Sequence, residues 1–130
     1  MSGIGREFGR DAGPEFDDES GDARAPAPTG AGCTDCIDDG GWWFHLRRCV
    51  DCGNVGCCDS SIEQHARRHS ESTGHRVATS FEPGEHWFWD YVDERAAAAV
   101  PLSPPFSRPE GQPAPGPEGR VPEGWRELLH

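Results

Sequence analysis

The sequence predicts a small α+β fold, a short antiparallel sheet with one main helix, confined to about residues 33–95 of a 130-residue chain. Three observations carry that reading. Cysteine and histidine recur at Cys33, Cys36, Cys49, Cys52, Cys57, His65, His69 and His75, with no comparable set outside that stretch. Both flanks are made of residues that cannot build a core. Between the flanks, short β-prone runs surround one segment with helix-start and helix-stop residues.

Residues 1–32 are acidic and rich in Gly, Ala and Pro, with Asp17, Asp18 and Glu19 ahead of Pro26 and Pro28. Such a segment buries too little apolar surface to offset its ordering entropy and reads as a disordered tail. From Pro101 to Pro122 there are eight prolines, which deny helix and ladder hydrogen bonds and favour an extended, solvated chain. The remaining domain is too small to stabilise itself without disulfides, metal or oligomerisation. Zinc is bound most readily by thiolate and imidazole, and a structural site closes all four positions with protein ligands. Eight such side chains therefore imply two zinc ions. Structural zinc contributes about 10–16 kcal/mol in finger peptides, more than so small an apolar core.

The amino-terminal residues Met1 to Arg10 have no apolar signal region, and no segment approaches a membrane span, so the expected compartment is the cytoplasm. There thiols stay reduced, and paired C-x-x-C spacings favour metal over disulfides. None of the twelve basic residues is lysine, and Arg, Ala, Gly and Pro are abundant. This resembles GC-rich coding and points to a bacterial source.

The elements follow in order. Gly40-Gly41 marks a turn, and the aromatic run from Trp42 to Arg48 reads as a strand delivering Cys49. Cys52-Gly53-Asn54 has the form of a zinc knuckle, in which glycine permits the tight turn that points two thiolates inward. A short strand through Val55 leads to Cys57. Asp59, Ser60 and Ser61 offer N-cap oxygens, and Ser60 with Glu63, or Ser61 with Gln64, has capping-box spacing. A helix from about Ser61 to Ser72 places His65 and His69 on one face, and Gly74 stops it just before His75. Strands are expected at Arg76–Phe81 and His86–Val92 around the turn Glu82-Pro83-Gly84-Glu85. An Ala-rich helix from Asp93 to Val100 precedes the Pro/Gly-rich tail, so residues 96–130 read as a short helix and a tail with a helical motif at Trp125, Leu128 and Leu129.

Spacing leaves two ways to divide the ligands. Cys33, Cys36, Cys49 and Cys52 can share one ion, leaving Cys57 with three histidines. Alternatively the sets interleave. The ordered run of Cys33-x-x-Cys36, Trp43 seven residues on, Cys49-x-x-Cys52-Gly53, Cys57, His65-x-x-x-His69 and Thr73-Gly74-His75 resembles the UBP-type zinc finger. That is the ubiquitin-binding module of ubiquitin-specific proteases and a cytoplasmic histone deacetylase. The resemblance implies a cross-braced pairing, with Cys33, Cys36, Cys57 and His65 on one zinc and Cys49, Cys52, His69 and His75 on the other. Cys58 then reads as a structural thiol, and His45 and His86 as strand surface residues.

An enzyme is not expected. His65 and His69 have the spacing of a zinc-hydrolase helix, but the general-base glutamate that follows the first histidine there is Ala66 here, and eight ligands for two ions leave no open position for water. No Gly-x-Ser-x-Gly elbow or phosphate loop occurs. The formal net charge is −11; five ligand thiolates and two zinc ions keep it near −12, which argues against nucleic-acid binding. Arg47-Arg48 and Arg67-Arg68 read as solvated faces of what is expected to be a monomer.

The aromatics suggest a binding function. Trp87, Trp89 and Tyr91 alternate on one strand face, and burying all three would demand partners for their polar atoms. In the family resembled, a deep pocket captures the free C-terminal Gly-Gly of ubiquitin between a Trp after the first Cys pair and aromatics of the last strands; this implies a pocket of Trp43, Trp89 and Tyr91. The family's Cys-Gly-Arg, whose arginine engages the tail, is Cys57-Cys58-Asp59 here. The expectation is therefore a protein-interaction module for an extended Gly-rich C-terminus of ubiquitin-like type. An adaptor recognised through Trp125, Leu128 and Leu129 is the alternative.

Overall fold

The computed structural model describes residues 24–130; the expectation for residues 1–23 lies outside the described residues. Helix α1 spans Thr34–Asp39, followed by β1 (Leu46–Cys49), β2 (Val55–Cys57), α2 (His65–Thr73), β3 (Val77–Ser80), β4 (Phe88–Asp90) and β5 (Arg95–Ala96). The strands form one five-stranded antiparallel sheet in the order β2-β1-β3-β4-β5. It is thus a small α+β fold.

Alternation in β1 sends Arg47 and Cys49 to one face of the sheet and Leu46 and Arg48 to the other. Helix α2 packs over β1 and β2. Gly56 permits its close approach, because a Cβ there would stand 2.7 Å from the backbone nitrogen of Ala66. The core consists of Cys33, Cys36, Trp43, Leu46, Val55, Cys57 and Phe81. Three of these seven residues are cysteines of one ligand cluster, so metal site and core are the same object.

Helix α2 begins later than its serines suggest. Gln64 occupies the cap position in a left-handed conformation without a side-chain cap, and the first helical N–H, that of His65, donates to the Cys57 sulfur at 3.2 Å. A thiol has taken the role expected of a hydroxyl. The Ala-rich segment is not a helix either. Glu94 has φ of 55°, Arg95 and Ala96 pair with Asp90 and Trp89, and the Ala97 N–H donates to the Phe88 carbonyl. Eight residues with no apolar face to bury gain little as an isolated helix, while the edge of β4 offers ladder bonds.

The segments on either side of residues 33–95 pack against them. Arg48, with no exposed surface, donates to the carbonyls of Pro26, Ser103 and Pro105. It is therefore a buried clip between the two flanks, a correction to its reading as a solvated residue. Arg108 pairs with the buried Glu82 at 2.8 Å, Arg120 donates to carbonyls of Cys36, Ile37 and Gly41 at the end of α1, and Gly116 exchanges both backbone hydrogen bonds with Trp43. The segment turns at Pro109–Gln112 and Pro117–Arg120, and the domain supplies the partners that solvent was expected to supply. The terminal motif is a single 3-10 turn, Trp125–Leu128, with Trp125 against Phe44 at 5.4 Å between rings.

Candidate metal centres and aromatic groove

The eight ligands gather into two groups, Cys33, Cys36, Cys57 and His65, and Cys49, Cys52, His69 and His75, with the donor atoms of each group within 4.8 Å of one another. The sets interleave along the chain. Helix α2 is the cross-brace, because His65 and His69, one turn apart, serve different groups.

In the first cluster Nδ1 of His65 lies 3.3, 3.2 and 3.6 Å from the sulfurs of Cys33, Cys36 and Cys57, and the sulfurs of Cys36 and Cys57 are 3.8 Å apart. In the second, Cys52 lies 3.3 Å from Nε2 of His69 and Cys49 lies 3.6 Å from Nδ1 of His75. Zinc bond lengths of about 2.3 Å to sulfur and 2.0–2.1 Å to nitrogen give tetrahedral edges of about 3.8 Å and 3.5 Å. The spacings fit zinc.

Charge makes the same point. The Cys57 thiol is pushed far below its usual range, first by hydrogen bonds from Cys33 and Cys36, while the Cys36 thiol is raised because it faces those neighbouring sulfurs. Burial and mutual repulsion oppose placing three thiolates side by side. A dication is what allows all three to be thiolates. Burial, then the neighbouring His75, holds His69 in the neutral form a ligand requires. The first cluster is wholly buried, and in the second only Cys49 is. With four protein ligands each, both sites are closed.

The expected pocket residues do not all meet. Trp89 and Tyr91 line a groove of about 320 Å³ with Trp87, Arg47, Cys58, Asp59 and Ser60. Register explains the depression: β3, between β1 and β4, puts only Ser80 opposite Arg47 and Ala78 opposite Trp89 on this face. Trp43 is elsewhere, 2 % exposed, its indole beside Gly32, Ile37 and Gly116. Trp87 and Arg47 complete the groove instead. The alternation of Trp87 with Trp89 and Tyr91 was readable, whereas Arg47 arrives through pairing across two strands.

Asp59, the acid in the arginine's expected place, is neutralised. Arg67 grips it with Nη2 at 2.6 Å and Nε at 3.1 Å, which raises the guanidinium's pKa, and lies 5.3 Å from the Tyr91 ring centre. Burial, then Asp59, raises the Tyr91 phenol further above its usual range, against the opposing fields of Arg47 and Arg67. Cys58 belongs to neither cluster; its sulfur lies 3.5 Å from the Ser61 hydroxyl. His45 stacks on Phe44 at 3.8 Å, and burial lowers its pKa.

Two closed four-ligand sites interlocked through one helix define a binuclear structural zinc finger. Residues 33–99 match the family described as the Zn-finger in ubiquitin-hydrolases and other proteins, and the chain belongs to that family. The chain is similar to the solution NMR structure of protein RPA1320 from Rhodopseudomonas palustris, at 42% identity and a TM-score of 0.55, over 65% of this chain and 87% of that one. No curated protein matches it. The family is a zinc-finger module rather than a catalytic domain, and such domains mediate protein interactions. Among the described residues no helix is long and apolar enough to cross a membrane.

Proposed function

We propose that the chain is a non-enzymatic interaction module that holds an extended, glycine-rich C-terminal tail of ubiquitin-like type in the groove of Trp87, Trp89 and Tyr91. The supporting observation is the convergence of these three aromatics in one groove, with Trp87 still 42% exposed. Aromatic walls can close on both sides of a strand only where it carries no side chains, so glycine suits the slot. Trp43, which the family resemblance assigned to the pocket, contributes from the core. Closed zinc sites and a net charge of −11 support neither hydrolysis nor nucleic-acid binding. Six cysteines without a disulfide among them suit a reducing compartment such as the cytoplasm, and the binding unit is a monomer.

The alternative adaptor role is less favoured. Trp125 is packed against Phe44, and His130 bonds to the carbonyls of Ser60 and Ile62, so this segment is engaged within the chain. Titration of the zinc-loaded protein with a hexapeptide ending in Gly-Gly, followed by tryptophan fluorescence, tests the groove. Saturable binding that Trp89→Ala weakens by tenfold or more is expected. No saturable change, or binding indifferent to Trp89→Ala, would refute it.

A further inference from the structure

We infer that Arg47 is the groove's carboxylate-binding residue and sets its preference for a free chain terminus over a blocked one. This rests on the tail-binding reading above and deepens it.

Two charged side chains line the groove, Arg47 and Asp59, and Asp59 is already committed. Arg67 holds Asp59 through both carboxylate oxygens. Arg47 differs. Its guanidinium lies 4.5 Å from the Trp87 ring centre, its hydrogen bond is one from Nη1 to the Leu46 carbonyl at 2.9 Å, and it has no carboxylate partner among the described residues. The remaining N–H groups of its fork are therefore available to a ligand. A guanidinium matches a carboxylate with two parallel bonds, and stacking on an indole fixes the plane of the fork without consuming its donors.

Position also favours this role. Arg47 extends from β1, two strands away from β4 and Trp89, and reaches the groove with its guanidinium over the Trp87 ring. A strand lying along the aromatics would present its terminal carboxylate to that guanidinium. In a chain whose central domain is acidic, an uncommitted cation in an aromatic groove gives local charge complementarity to an anionic end. The Asp59–Arg67 pair keeps the acid that lines the groove from opposing it. Arg48, next in sequence, cannot substitute, because it points to the other sheet face and is buried among backbone carbonyls.

The test is a four-way titration of the zinc-loaded full chain. Wild type and Arg47→Gln are each titrated calorimetrically with a hexapeptide ending in Gly-Gly, once as the free acid and once as the amide. Native zinc content and near-ultraviolet circular dichroism verify the variant's fold. Charge-assisted hydrogen bonds of the usual strength predict that wild type binds the acid roughly 10- to 100-fold more tightly than the amide. In Arg47→Gln the two peptides should bind equally, close to the wild-type affinity for the amide. A variant that keeps the acid preference would overturn the assignment while leaving the tail-binding reading intact. Equal binding of acid and amide by wild type would do the same. Absence of binding of either peptide to wild type would overturn both.

Discussion

Cys57→Ser and Cys52→Ser remove one thiolate each but should have unequal consequences. Cys57 lies in the core beside Cys33 and Cys36, whereas Cys52 is partly exposed at the knuckle. Apart from its three cysteines the core comprises Trp43, Leu46, Val55 and Phe81, all at most 2 % exposed. At about 1.5–3 kcal/mol for each fully buried apolar side chain, these four contribute about 6–12 kcal/mol. One structural zinc, worth about 10–16 kcal/mol in finger peptides, equals or exceeds them together. Cys57→Ser should therefore abolish the near-ultraviolet dichroism of the buried aromatics and lose both metals, since α2 carries a ligand of each site. Cys52→Ser should retain the first zinc and most of that signal. Zinc content and circular dichroism of the two purified variants provide the measurement. A Cys57→Ser protein with native dichroism, or two variants that unfold alike, would refute the claim that the first site is the core.

Three further outcomes are expected. Gly56→Ala places a methyl group against the backbone of α2 and should destabilise the domain by about 1–3 kcal/mol or more, read from denaturant midpoints. Arg48→Met leaves the carbonyls of Pro26, Ser103 and Pro105 without their buried donor, so limited proteolysis should cut residues 101–109 faster while the zinc content stays unchanged. Acidification should loosen the second site: with the His69 pKa lowered in the fold, the released chain takes up a proton first. The stabilisation from neutral His69 is complete above an unfolded value of about 6.5 and falls as pH drops below it, which a melting-temperature series from about pH 7.5 to 5 will show. A melting temperature that rises on acidification would contradict that sign.

The ligand ladder and the positions of β1 to β4 were legible because they depend on local chemistry: thiol and imidazole spacing, alternation, and glycine at turns. Where the sequence misled, a non-local partner had replaced a local one. Ser60 and Ser61 had the composition of a cap, yet the Cys57 sulfur receives the first helical N–H. The prolines from residue 101 to 122 accompany a segment without helix or strand, but nothing local indicated that Arg48, Arg108 and Arg120 would tie it down. Arg47 and Arg48 illustrate the limit most plainly. Adjacent and chemically identical, they lie on opposite sheet faces, one lining a groove and the other buried as a clip. Trp43 lies in the core rather than in the expected pocket for a similar reason: residues 113–117 run over it.

Native mass spectrometry of the purified full chain tests the central claim, two interlocked closed zinc sites, most directly. The geometry predicts a compact charge-state distribution at the mass of one chain with two zinc ions, collapsing to an extended, metal-free distribution on chelation. A compact chain carrying one zinc or none would contradict it.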